Sequence, residues 1–257
     1  MGNPVKEQYL SAKPTLGTFL NLGSAAAAEC AGIAGFDYLI VDIEHSPFGL
    51  AEVTGIIRAA ELTGIAPFVR IPHISRGGVL KFLDAGARGL IVPGIKTPGE
   101  VEQLVEFGKY PPLGNRGFCP TRVCRYGFNG ALADGIGAYM EKANDGVMLI
   151  PQCETVECLE RIEDILGLAG VDGIFIGPFD LSISLGVPGQ FDNPAMEAAV
   201  DRVLAAAKAA GKPAFIFAPT PEAARLRFDQ GFASVTYSAD LNMMLETMKA
   251  ARAAIGR

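Results

Sequence analysis

The 257-residue chain has two histidines, and one of them, His45, stands with Asp42 and Glu44 in the stretch VDIEHSP. An imidazole takes or returns a proton near neutral pH, so His45 is a candidate acid–base group. Further along, Gln152 and Glu154 close VMLIPQCE, and Asp180 lies in IGPFDLS. Two carboxylates, with water and ligand oxygens completing the shell, make a hard oxygen-donor site suited to Mg2+ or Mn2+. Arg70, the last residue of APFVR, carries a planar guanidinium that matches a carboxylate or an enolate oxygen. A divalent cation, an arginine and a proton carrier together suit chemistry alpha to a carbonyl. Asp42 and Glu44 read either as supports that hold metal-bound water or as a solvated turn.

That chemistry needs elements that bring distant segments to one place. Short runs rich in Val, Ile, Leu and Phe predict strands at 15–20, 37–42, 66–70, 89–93, 147–154, 172–177, 213–218 and 233–237. Between them, stretches such as GLAEVTGIIRAAELTG and NPAMEAAVDRVLAAAKAAG carry apolar residues at i, i+3, i+4 spacing and end at Gly or Pro. Nearly continuous apolar strands are buried on both faces, as in a parallel sheet covered by helices. Eight strand–helix units predict one α/β domain over residues 1–257, a closed (β/α)8 TIM barrel. An open doubly wound sheet is the competing arrangement, but no GxGxxG follows the first strand. In a barrel the strand ends meet at one mouth, and Asp42, Glu44, His45, Arg70, Gln152, Glu154 and Asp180 all fall at strand ends. The longest irregular segment, KYPPLGNRGFCPTRVCRYGFNG, separates strands four and five and is expected to act as a functional loop there.

Composition limits the partners. The net charge is -6 and no run of Lys and Arg tracks a phosphate backbone, so no nucleic-acid partner is expected. No apolar run reaches the ~18 residues of a membrane span. MGNPVKEQYL lacks the layout of a secretory signal, and a cytoplasmic location with no membrane partner is expected. The mean hydropathy of +0.28 reflects alanine in helix-like runs. Five cysteines without a CxxC pair suggest neither a disulfide framework nor a zinc site, and reduced structural thiols are expected.

Plainer readings compete. His45 alone reads as a loop histidine, and Asp180 as a helix cap; capping does not account for Glu154. Asp84 reads as a helix-end carboxylate, Arg116 as a loop-ordering or anion-binding residue, and His73 as a loop or interface residue. Lys96, just past strand four, is the lysine placed to test a Schiff-base mechanism. Alternation turns Cys153 away from Gln152 and Glu154, toward packing.

The pieces DIEHSP, VRIP, LDAGARGLIVPGIKT, YPPLGNRGF, PQCET and GVDGIFIGPFDLSISLG, in this order and spacing, resemble the metal-dependent pyruvate aldolases of the HpcH/HpaI type. The resemblance runs over nearly the whole chain and implies a barrel of the phosphoenolpyruvate/pyruvate type. It implies Glu154 and Asp180 as ligands of a divalent ion (Mg2+, Mn2+ or Co2+), His45 as acid/base and Arg70 as stabiliser of the transition state. It also implies that Asp84 raises the basicity of the histidine and that Gln152 touches substrate. Main-chain N–H groups of the GPxDLS loop would bind the substrate carboxylate; Pro178 has none, which leaves Gly177, Phe179 and Asp180. Phe179 stands where a small residue is common in this family, which points to an effect on specificity.

The activity so implied is reversible retro-aldol cleavage of a 4-hydroxy-2-oxo acid, of the 2-keto-3-deoxy sugar acid or 4-hydroxy-2-oxoheptanedioate type, to pyruvate and an aldehyde. A homohexamer, a trimer of dimers exchanging the C-terminal helix, is implied with it. Two other readings stand beside it: a lyase acting on CoA thioesters, and a ligand-binding barrel that has lost catalysis.

Overall fold

The computed structural model describes residues 2–256. Eight parallel strands close into a barrel in chain order: β1 Thr15–Leu20, β2 Tyr38–Asp42, β3 Ala66–Arg70, β4 Gly89–Val92, β5 Met148–Cys153, β6 Ile174–Ile176, β7 Ala214–Ala218 and β8 Ser234–Ala239. This is a (β/α)8 TIM barrel, and each expected strand is present, shifted by no more than about two residues at its ends. The helices are α1 Pro4–Leu10, α2 Ala25–Ile33, α3 Leu50–Thr63, α4 Arg76–Ala85, α5 Pro98–Gly108, α6 Gly135–Gly146, α7 Val156–Glu160, α8 Ile162–Gly167, α9 Pro178–Ser184, α10 Pro194–Ala209, α11 Pro221–Asp229 and α12 Asp240–Ile255. Among the described residues no helix is long and apolar enough to cross a membrane.

Alternation along the strands sorts the core into two layers. Leu39, Val41, Val69, Leu149, Cys153, Ile174 and Ile176 face the helices and join their apolar stripes. Tyr38, Ile40, Phe68, Ile150, Phe175 and Phe215 fill the barrel interior. Gly17 belongs to this interior, because a Cβ there would stand 2.2 Å from the Tyr38 ring. The Tyr38 hydroxyl is 2.8 Å from that of Thr236 and accepts from Ser234 at 2.9 Å, so the buried phenol is satisfied.

The inward parity then runs out of the core at the top of the strands. On β2 it passes from Tyr38 and Ile40 to Asp42; on β3 from Phe68 to Arg70; on β5 from Met148 and Ile150 to Gln152. Polar groups become affordable there because the barrel opens to water.

The base is closed by α1, which the sequence reading did not foresee. Val5 is buried in the interior cluster, and Asn3 Nδ2 donates to the carbonyls of Arg88 (2.8 Å) and Gly146 (3.3 Å). The 109–134 segment also belongs to this end, contrary to the expectation of a loop at the mouth. It follows α5, which has already returned to the start of the strands, and Arg116 and Arg122 bind the last turn of α4 through Asp84 and the Ala85 carbonyl.

Candidate active site

The mouth is built from the last inward residue of each strand and the loop that follows. Asp42 and Arg70 are register partners on β2 and β3. Arg70 Nε donates to Asp42 Oδ1 (2.9 Å) and Nη2 to Oδ2 (2.7 Å), a bidentate fork. Asn21 Nδ2 adds a bond to Oδ2 at 3.1 Å, and the Glu44 N–H one to Oδ1 at 3.1 Å. Burial works against charge on Asp42, but the Arg70 fork and the backbone N–H groups of Glu44 and His45 outweigh it and hold the carboxyl below its ordinary range. Asp42 therefore orients Arg70 and anchors the turn that carries Glu44 and His45. The guanidinium lies over the Phe19 ring, 4.8 Å from its centroid. Among the described residues, Arg70 Nη1 has no protein partner and its two N–H bonds are unspent.

Glu44 sits between two cationic or protonatable groups, 3.3 Å from Arg70 Nε and 3.6 Å from His45 Nε2. Its Oε2 is buried without a hydrogen-bond partner. Desolvation pushes its carboxyl above the ordinary range, Arg70 and His45 pull it back, and Asp42 and Asp180 push it up again. His45 itself is exposed at the rim.

Glu154 continues the inward parity one step past β5 and is buried. Its Oε1 accepts from the Gly94 N–H, delivered by the turn after β4, and its Oε2 from Gln152 Nε2. Burial raises its carboxyl, those two donors lower it, and the neighbouring charges of Asp180 and Glu44 raise it further. Gln152 Oε1 is buried with no partner. Gly177 is required beside them: a Cβ there would stand 2.8 Å from both Gln152 Nε2 and Glu154 Oε2.

Asp180 is exposed on the first turn of α9 and does not cap it; Gly177 occupies that position with no side-chain bond. The Gly177 N–H is donated to the Cys153 carbonyl, so of the three donors considered, those of Phe179 and Asp180 stand in the helix's first turn without an intrahelical acceptor.

Of these groups Asp42, His45, Arg70, Gln152, Gly177 and Asp180 line a cavity of about 380 Å3 together with Phe19, Phe175, Phe179 and Phe217. Glu44, close to Arg70, and Glu154, bound to Gln152, lie outside its lining. Asp84 does not line it either. It is held at the end of α4 by Arg116 (2.8 Å), whose guanidinium also lies 4.8 Å from the Tyr110 ring centroid, so both have structural partners within the chain. Sequence spacing gives no sign of this pairing across 32 positions. His73 is exposed beyond β3, and Lys96 pairs with Glu157 (3.4 Å) on the outside. Lys109 is the buried lysine, but it lies at the base with Nζ bound to the Asn144 and Val147 carbonyls and Asp172, each at 2.7 Å. Asn21, Asn242 and Phe217 line the cavity although the sequence reading passed over them; strand-end position was the signal available for Asn21 and Phe217, whereas Asn242 stands in the first turn of α12.

The family model for HpcH/HpaI aldolase/citrate lyase matches residues 15–245. The chain belongs to this family. It resembles enzymes named for several substrates. It is 36% identical over 248 residues to a hydroxypyruvate/pyruvate aldolase of Agrobacterium fabrum, covering 96% of this chain and 91% of that one. It is 36% identical to the 2-dehydro-3,6-dideoxy-6-sulfogluconate aldolase of Pseudomonas putida, covering 90% and 88%. Its fold superposes on a family member from Burkholderia cenocepacia with a TM-score of 0.91 at 35% identity, covering 99% of this chain and all of that one. The protein is a carbon–carbon lyase of the aldolase kind.

The acids at the mouth suit a hard cation. Among the described residues no group of three or more His, Cys, Asp or Glu side chains is placed to hold a metal ion; the acids Glu154 and Asp180 are two. Two carboxylates, with substrate oxygens and water, are the usual protein share of a Mg2+ or Mn2+ site. Burial first, and the neighbouring acids after it, raise the carboxyls of Glu154 and Glu44, and Glu44 Oε2 is left without a hydrogen-bond donor.

Proposed function

We propose that this aldolase is of class II and cleaves a 4-hydroxy-2-oxo acid, reversibly, to pyruvate and an aldehyde. The observation that carries the reading is Arg70, clamped by Asp42 in a cavity that His45, Gln152 and Asp180 also line, with Glu154 hydrogen-bonded to Gln152. Glu154 and Asp180 would hold the divalent ion, Mg2+, Mn2+ or Co2+. When bound, it supplies Lewis-acid polarisation of the 2-oxo group.

The chain's own groups do the rest. The first-turn N–H groups of Phe179 and Asp180 bind the substrate carboxylate, and Gln152 lines the same cavity as a substrate contact. His45 accepts the proton of the 4-hydroxyl, directly or through a water, as the C3–C4 bond breaks. The bonding pair passes to the pyruvyl half, and Arg70 Nη1 donates to the enolate oxygen where that charge collects. Protonation at C3 completes pyruvate, and C4 leaves as the aldehyde carbonyl. Pyruvate or hydroxypyruvate as the donor half accords with the names of the relatives.

The same reading includes a homo-oligomer, a hexamer built as a trimer of dimers. What supports a partner copy is α12: none of its residues is buried, and Leu241, Met244, Leu245 and Met248 are exposed at i, i+3, i+4, i+7.

The experiment is to follow pyruvate release from a panel of 4-hydroxy-2-oxo acids with Mg2+, Mn2+ or Co2+. Release that is abolished by chelator and restored by metal is expected. Absence of release from every substrate, or release indifferent to chelator, would sink the proposal.

A further inference from the structure

We infer, resting on the aldolase reading above, that the aldehyde half is uncharged and apolar, an aryl or branched-alkyl aldehyde rather than one carrying a carboxylate, sulfonate or polyol. Away from its acids the cavity has an aromatic wall. Phe19 meets Phe175 edge-on at 6.1 Å between centroids, Phe217 lies 6.0 Å from Phe19 and 5.9 Å from Phe179, and Phe191 backs Phe179 edge-on at 5.1 Å. The wall runs from the barrel interior, where Phe175 is buried, to the rim, where Phe179 is 50% exposed. An apolar ligand group covers that exposed ring and gains the edge-to-face or stacked contacts that aromatic rings favour.

Charge argues the same way. Among the described residues Arg70 is the one cationic side chain lining the cavity. Its Nε and Nη2 are spent on Asp42, and the proposed chemistry uses Nη1. A second anion on the substrate would find no cation and would face Asp42 and Asp180. An anion buried without a partner is strongly disfavoured. A polyol fares little better. Asn21 gives its amide N–H groups to Asp42 and Ser46 and Gln152 gives one to Glu154, so among the lining amides Asn242 is the one that donates to no protein group, and Gln152 Oε1 is a lone free acceptor. Hydroxyls desolvated against phenyl rings would go unpaired.

The test compares kcat/KM for Mn2+-supported pyruvate release from 4-hydroxy-2-oxo-4-phenylbutanoate and from 4-hydroxy-2-oxoheptanedioate. Hydrogen–deuterium exchange of the pyruvate methyl group is measured alongside, because it needs no aldehyde. The phenyl substrate is expected to lead by at least about tenfold, and Phe179→Arg is expected to move the ratio toward the dianionic substrate by about tenfold. Equal or reversed preference in the wild-type protein overturns the inference while pyruvate release upholds the aldolase reading. Methyl exchange without release from the phenyl substrate also overturns it. The absence of both exchange and release removes the aldolase reading, and this inference with it.

Discussion

Asp42 and Arg70 end adjacent strands in register, and their side chains continue the pairing of β2 and β3 with two hydrogen bonds, at 2.9 and 2.7 Å. The backbone thus sets the direction of the guanidinium, and the carboxylate fixes its roll. Asp42→Asn keeps the shape and one acceptor but loses the charge and the fork. It should lower kcat by about 10²-fold, the cost of a slightly misplaced catalytic group, with a smaller change in KM. Asp42→Ala leaves a mostly buried guanidinium with Glu44, at 3.3 Å, as its remaining counter-charge and should also destabilise the fold, by up to about 3–5 kcal/mol. Denaturant unfolding and steady-state kinetics on both variants check this; an Asp42→Asn enzyme with wild-type kcat would remove Asp42 from the orienting role.

The depressed carboxyl of Asp42 also makes a pH prediction. Its folded-state value lies below the ordinary ~3.9 of the unfolded chain. Between the two values the unfolded state binds more protons, so stability rises with pH across that window and is fully present above it. The stability gap between wild type and Asp42→Asn should be flat from pH 7 to about 4, then close as pH falls further. Urea melts across this range read the gap directly, and a gap that widened in acid would contradict the assignment.

Glu154 shifts in the opposite direction, raised first by burial. A proton and a cation compete for the same oxygens, so Mn2+ affinity should fall as pH drops through a midpoint above the ordinary ~4.3 of glutamate. Calorimetric titration with Mn2+ measures it. Glu154→Gln should bind no Mn2+ at any pH, and retention of wild-type affinity would remove Glu154 from the metal site.

Gly177 gives a steric prediction. A methyl group there meets Gln152 and Glu154 at 2.8 Å each, below any ordinary contact. Gly177→Ala should displace the Glu154 carboxylate and weaken Mn2+ binding at least about tenfold, while the strained side chains cost about 1–3 kcal/mol. Unchanged Mn2+ affinity in a folded variant would show that the site has room to spare.

The base of the barrel should behave differently from the mouth. Asp172 binds Lys109, Lys6 and the Leu149 N–H, and desolvation holds Lys109 below the ordinary lysine range. Asp172→Ala leaves that buried ammonium without its counter-charge and should cost about 3–5 kcal/mol. Activity per folded molecule should be unchanged. Thermal melts and active-site-normalised kinetics separate the two effects.

Much of the mouth was legible because two periodicities coincide in the sequence. Apolar runs mark the strands, and the first polar residues on the inward parity, Asp42, Arg70, Gln152 and Glu154, mark where the interior opens. Side-chain partnerships were not legible, since they depend on register and rotamer. Nothing in VDIEHSP says that Asp42 serves Arg70, and nothing in LDAG says that Asp84 meets Arg116. The long 109–134 segment misled for a related reason: spacing located it between β4 and β5, but the return of α5 decides which end of the barrel it reaches. The stopper helix α1 was missed because seven residues are too few for a clear helical period.

The central claim, that Glu154, Asp180 and the Asp42-clamped Arg70 stabilise an enolate of pyruvate, is tested most directly by the pyruvate methyl resonance in D2O. With protein and Mn2+ removed by chelator at the end of each time point, deuterium should replace the methyl protons at a rate proportional to enzyme. The rate should fall to background without metal and in Glu154→Gln. Exchange that is absent in the metal-loaded wild type, or that persists equally in Glu154→Gln, would contradict the account.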